Sequence, residues 1–110
     1  MKVAVVGSRG LSNIALDKYI SHNATEIVSG GAVGIDRLAA DFARAKRLKL
    51  TEFFPEYKLY GRAAPIIRNK KIVDYSDRVI VLWDGKSRGA LSVIKYAEKI
   101  KKPLEIILLN

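Results

Sequence analysis

Three segments of the chain are dense in glycine and serine, and each carries charged residues. They are Gly7-Ser8-Arg9-Gly10, Ser29-Gly30-Gly31-Ala32-Val33-Gly34-Ile35-Asp36 and Asp84-Gly85-Lys86-Ser87-Arg88-Gly89. Glycine lets the backbone approach a ligand closely, and unpaired N–H groups at a helix start attract anions. The chemistry such segments offer is the cradling of phosphate. One of them alone is ordinary turn chemistry; three converging on one edge point to a phosphorylated ligand. The cations divide in the same sense. Arg44, Lys46, Arg47, Lys49, Lys99, Lys101 and Lys102 fall at expected helix C-termini, where they complement the macrodipole on a solvated edge. Arg9, Arg37, Arg62, Lys86 and Arg88 fall on or beside the expected ligand edge, the wrong end of a helix for a cation unless an anion binds there.

Several single residues carry chemistry of their own. Asn69 lies on a helical wheel with Pro65, Ile66, Ile72 and Val73, so its amide needs a partner inside the fold. It is either a satisfied core amide that fixes a loop or, with Arg68 beside it, a group that reaches the ligand; Arg62 shares its face. Asp36 either caps its helix or takes a ribose hydroxyl. Trp83 and Asp84 end a strand, and Trp83 is either core or a stacking platform. Tyr57 and Tyr60 either cover a base or pack on the sheet edge. His22 is the single histidine and there is no cysteine, so neither a Ser-His-Asp set nor a metal constellation is expected.

Elements must position these residues. The chain has 110 residues, enough for one domain with its own core. Hydrophobic residues at 49% and charged residues at 28% fit a folded soluble protein rather than a disordered one. No apolar run is long enough to span a membrane, and the N-terminal run is too short for a signal segment. The expected compartment is the cytoplasm. The net charge of +9 favours polyanionic or phosphorylated partners.

Strands are expected at 2–6, 26–28, 50–54, 78–83 and 104–109, from short apolar, β-branched runs. Helices are expected at 13–22 (capped by Ser12 and ended by a left-handed Asn23), 36–48, 62–75 and 90–101. Strict β-α alternation with short loops requires parallel strands and helices on both faces. The expected fold is therefore α/β: a Rossmann-like three-layer α/β/α domain with a five-stranded parallel sheet in the order 3-2-1-4-5. Ligands of such sheets bind beyond the carboxyl ends of the strands at the topological switch, which is where the glycine-rich segments fall.

These residues together resemble a known superfamily. Val5-Val6-Gly7-Ser8-Arg9, Val28-Ser29-Gly30-Gly31-Ala32-Val33-Gly34-Ile35-Asp36 and Tyr60-Gly61-Arg62-Ala63-Ala64-Pro65-Ile66-Ile67-Arg68-Asn69 carry the likeness, which continues through Ser76–Leu82 and Asp84–Gly89. The chain resembles the SLOG superfamily, which joins DNA-processing protein A to the LOG phosphoribohydrolases, and looks most like its small stand-alone members related to YspA and YpsA. The resemblance implies a pocket for a nucleotide or nucleotide-derived ligand, with no cofactor required. Carried over by position, the pocket would be lined by Gly7, Ser8 and Arg9, by Ser29, Gly30, Gly31, Gly34 and Asp36, by Arg68 and Asn69, and by Asp84, Ser87 and Gly89. For a hydrolase, Arg68 matches the catalytic arginine, and Asp36 or Asp84 would stand in for the missing acid. The Gly-Gly-x-Gly-Thr-x-x-Glu turn of those enzymes is lost here, its glutamate falling on Val93. The DNA-processing likeness makes a single strand of nucleic acid a further expected partner, and a homo-oligomer is expected from the small size of the domain.

Overall fold

The computed structural model describes residues 1–8, 10–11, 14–31 and 34–109. Its strands are β1 (Lys2–Gly7), β2 (Glu26–Ser29), β3 (Lys49–Glu52), β4 (Arg78–Trp83) and β5 (Leu104–Leu108). They form one sheet in the expected order β3-β2-β1-β4-β5, its strands parallel as the alternation of elements requires. The helices are α1 (Ile35–Ala45), the single turn α2 (Tyr57–Tyr60), α3 (Ala64–Tyr75) and α4 (Arg88–Lys99).

Period-two alternation sends side chains to both faces of the sheet. Val3, Val5, Ile27, Ile80 and Leu82 pack on one side against Ile35, Ala39 and Ala43 of α1 and against Leu16 and Ile20. Ala4, Val28, Val79 and Val81 pack on the other, under Ile72 and Val73 of α3 and Val93, Ile94 and Ala97 of α4. Both faces are covered, which explains why β1 and β4 are continuous apolar runs rather than alternating ones. Among the described residues no helix is long and apolar enough to cross a membrane.

The largest departure from expectation is the segment between β1 and β2. In place of a helix over 13–22 there is a 3-10 turn at Leu16–Lys18, with Ser12 and Asn13 outside the described residues. Leu16 and Ile20, one turn apart, are buried and supply the contacts the core needs there. Ala15 precedes the turn without a capping side chain, and so short a helix is marginal without one. Asn23 is not left-handed; its N–H donates instead to Ser21 Oγ at 3.2 Å.

Smaller shifts have local causes. Ser87 accepts from the Ala90 N–H, so α4 starts at Arg88 rather than Ala90. Phe53 and Phe54 lie beyond β3, although the Phe53 N–H still reaches Ser29 O at 2.9 Å. Tyr57–Tyr60 forms a helical turn and Gly61–Ala63 a 3-10 turn, so α3 proper begins at Ala64 with Pro65 in its first turn.

At the amino end of the sheet Glu26 is buried, and its Oε2 accepts from Thr51 Oγ1 and from the Tyr75 hydroxyl, each at 2.6 Å. Burial pushes this carboxyl up, but the two hydroxyl donors and the charges of Lys49 and Lys2 more than offset it and leave it below the ordinary range. The Lys2 amine lies 4.3 Å from the centre of the Tyr75 ring.

Both long helices on the way into β3 and β5 end in the same way. Leu48 N–H reaches Ala43 O at 2.8 Å and Lys102 N–H reaches Ala97 O at 2.9 Å, the wide closing bond of a Schellman motif. The left-handed residues are Arg47 (φ 57°) and Lys101 (φ 58°), where glycine would be unstrained. Arg47→Gly and Lys101→Gly are each expected to raise stability by about 0.5–1 kcal/mol, read as a rise in the denaturation midpoint.

Candidate functional site

The carboxyl ends of β1, β2 and β4 open on a cavity of about 390 Å3. Val6, Gly7 and Gly10 form one wall, Gly30 and Asp36 a second, and Pro65, Arg68, Asn69 and Ile72 of α3 a third. Asp84, Ser87, Gly89 and Ala90 close it from the loop that leads into α4. Eight of the residues singled out in the sequence thus share one cavity: Gly7, Gly30, Asp36, Arg68, Asn69, Asp84, Ser87 and Gly89.

Glycine is required at two of these walls for reasons of space. A Cβ on Gly7 would run into the side chain of Ile35, so this glycine lets the start of α1 sit against the end of β1. A Cβ on Gly30 would lie 2.6 Å from Arg68 Nη1 and 3.0 Å from Asp36 Oδ2. The guanidinium and the carboxylate therefore both border the space above Gly30.

Arg68 is fixed from several sides. Its Nη1 donates to Gly30 O at 2.9 Å and to Phe53 O at 3.4 Å, gripping the chain just past β2 and β3. Its Nε donates to Asn69 Oδ1 at 2.8 Å. Asn69 Nδ2 in turn donates to Ser92 Oγ at 3.2 Å, and Ser92 Oγ donates to Gly89 O at 2.7 Å. Asn69 is 9% exposed; it is a satisfied amide, and it stands in the cavity wall.

Asp84 organises the opposite loop. Its Oδ1 accepts from the N–H groups of Lys86 and Ser87, both at 2.8 Å, and its own N–H donates to Ser8 Oγ at 3.1 Å. These backbone donors, Ser87 first and then Lys86, hold the Asp84 carboxyl below its ordinary range. Trp83 is half-buried against the core and its Nε1 donates to Ser87 O at 3.1 Å, so it steadies the same loop.

Other expected site residues stand elsewhere. Ser8 and Ser29 are buried behind the wall: Ser8 supports Asp84, and Ser29 Oγ accepts from the Gly31 N–H at 3.3 Å. Gly31 (φ 70°) and Gly34 (φ 76°) supply left-handed backbone, and a Cβ on Gly31 would meet the Phe54 ring. Asp36 is not a cap, since Gly34 occupies that position and Asp36 lies in the first turn with its carboxylate toward Gly30. Arg37, Arg62, Lys86 and Arg88 are exposed and outside the cavity wall, and Arg9 lies outside the described residues. Ile66 is 51% exposed rather than on the apolar face, with Ala64 buried in its stead.

The walls not anticipated are Val6, Gly10, Pro65, Ile72 and Ala90. For α3 the signal was present: positions 65, 68, 69 and 72 are spaced as one helical stripe, and two of them were already singled out for chemistry.

Two outcomes test this wiring. Asn69→Ala removes the acceptor of Arg68 Nε and the donor to Ser92 Oγ and is expected to lower stability by about 1–3 kcal/mol in chemical denaturation. Asp84→Asn keeps the turn's acceptor but not its charge. The folded carboxyl titrates below the unfolded one, so its contribution is present above the unfolded value and lost as pH falls through the folded one. The stability gap between the wild-type chain and Asp84→Asn is expected to be constant near neutrality and to close as pH falls below about 4.

No protein-family model matches the chain, and no curated protein matches it significantly. Among solved structures it is similar to DNA processing protein A from Helicobacter pylori, whose single-stranded DNA binding mode has been described. The two share 25% identity and a TM-score of 0.77, over 100% of this chain and 66% of the other. The chain therefore spans just under two thirds of that protein, and its described part has the same Rossmann-like architecture.

Proposed function

We propose that the chain binds a phosphorylated nucleoside or a nucleotide derivative in the cavity at the carboxyl edge of the sheet. The observation that carries this reading is the meeting of three glycine-bearing loops, after β1, β2 and β4, around one space. Its volume of about 390 Å3 falls in the range of small-molecule sites. Val6, Pro65, Ile72 and Ala90 give it an apolar part suited to a base. Ser87, Gly89 and Ala90 bring the first turn of α4 to the wall, where free backbone donors and the helix dipole favour phosphate. Asp36 and Asp84 suit sugar hydroxyls and repel phosphate from their own side. Arg68, already committed to Gly30 and Asn69, acts chiefly to hold the walls in register.

A second reading, that the bound nucleotide is one unit of a single strand, has its own observation. Phe54, Tyr57 and Tyr60 are exposed on the stretch that leads to α3, with the cations Lys58 and Arg62 beside them in sequence. Aromatics interleaved with cations are what a single strand requires. The likeness to a single-stranded DNA binding protein supports the same reading. Hydrolysis lacks comparable support. The position of the glutamate in the phosphoribohydrolases is Val93, fully buried on the sheet-facing side of α4, and Asp84 is held ionised and so is a poor acid.

Calorimetric titration with nucleoside monophosphates, ADP-ribose, cyclic nucleotides and a short oligothymidylate separates the readings. The first expects saturable binding of a mononucleotide, with no free base released. Gly89→Leu is expected to weaken that binding at least about tenfold while leaving the melting temperature unchanged or higher, since the nearest atom to the added Cβ is Ser87 Oγ at an unstrained 4.0 Å and leucine favours a helix. No heat with any mononucleotide overturns it. Heat from the oligonucleotide alone, with affinity falling steeply between about 50 and 200 mM salt, establishes the second.

A further inference from the structure

The two edges of the sheet are unlike. β3, at one edge, carries Lys49 and Glu52 and is followed by Pro55, devices that discourage another strand from adding. β5, at the other, reads Leu-Glu-Ile-Ile-Leu, and its one charged residue, Glu105, is turned to an ion pair with Arg78 of the neighbouring β4. Ile106 is 44% exposed and Leu108 61% exposed. The backbone alternates as well. Val79 N–H donates to Pro103 O and Leu109 N–H to Trp83 O, so the odd-numbered residues of this stretch face β4. Leu104, Ile106 and Leu108 therefore turn their N–H and C=O groups outward.

We infer that a second copy of this chain pairs antiparallel with the open edge of β5, across a two-fold axis at Ile106. An open row of donors and acceptors is matched by another strand, and β5 is complementary to itself. In this register Ile106 faces Ile106 of the partner subunit, and Leu104 faces Leu108 of the partner subunit. Every outward-facing pair is then apolar and doubly hydrogen-bonded. Glu105 falls opposite Ile107 of the partner subunit, whereas a shift that centres the axis on Glu105 sets two carboxylates face to face. Antiparallel pairing also keeps the cationic amino edges of the two copies apart, with Lys99, Lys101 and Lys102 at opposite ends of the joint sheet. A parallel arrangement brings these like charges together and does not close on a two-fold. Leu108 lies 3.4 Å from the space a Cβ on Gly85 would take, so the new interface abuts the loop that carries Asp84 and Ser87.

Pairing of five-residue strands buries a modest area, which gives a concentration-dependent dimer rather than an obligate one. Sedimentation velocity of the whole chain over a dilution series reads this directly. The wild-type chain is expected to shift from monomer to dimer, and Ile106→Lys to remain monomeric at the highest concentration with an unchanged melting curve when dilute. The natural sequence has no cysteine, so Ile106→Cys and Leu108→Cys give clean single-thiol variants. Under mild oxidation Ile106→Cys is expected to crosslink to its own copy quickly and Leu108→Cys slowly, because its mate across the axis is a leucine. The crosslinking pair decides the matter if Ile106→Lys unfolds. A wild-type monomer at the highest concentration, an Ile106→Lys dimer, or faster crosslinking of Leu108→Cys each overturns the inference. None of these readouts involves a nucleotide, so the outcome is independent of what the cavity binds.

Discussion

The candidate site depends on one half-buried guanidinium. Arg68 sits on α3, yet its hydrogen bonds go to the backbone carbonyls of Gly30 and Phe53, just beyond the ends of β2 and β3. Those carbonyls have no further strand to accept from, and a half-buried arginine with planar donors answers them at once. The same side chain passes the constraint sideways through Asn69 and Ser92 to Gly89 of α4. Three walls of the cavity, at Gly30, α3 and Gly89, are thereby locked to one another and to the end of β3. Gly30 has to be glycine because the guanidinium takes the place of its side chain.

The polar groups of the cavity divide their labour. Asn69, Ser8 and Trp83 support neighbours: Arg68 in the first case, the Asp84 loop in the other two. Asp84 spends one carboxylate oxygen on its own turn. The backbone at the start of α4 and the small side chains around it carry the part of the surface that remains open to a guest. Recognition at such a rim relies on shape and on fixed backbone dipoles, which are already oriented before anything binds.

Much of this was legible in the sequence because the signals were physical and local. The runs Lys2–Val6 and Arg78–Trp83 can only be strands buried on both faces, and the β-α alternation then leaves the parallel order 3-2-1-4-5. Glycine-rich segments after three strands must meet at one edge for the same reason. What was not legible was non-local. Nothing in residues 13–22 tells that two buried side chains, Leu16 and Ile20, would suffice without a full helix. Ile66 reads as core until the path of α3 over the sheet is known, and it then turns outward. The engagement of Arg68 with Gly30, thirty-eight positions away, belongs to tertiary structure alone.

The buried Glu26 has a consequence for how this architecture can move. Its carboxylate accepts from the hydroxyl of Tyr75, the last residue of α3, while Arg68 secures the middle of the same helix. The helix is thus a beam clamped at its far end and again at midspan. Its overhang, from Ala64 to Ile67, together with the turn at Tyr57–Tyr60 that feeds it, is the portion left to bend. Pro65 sits on that overhang and in the wall of the cavity, so a bend there reshapes that wall.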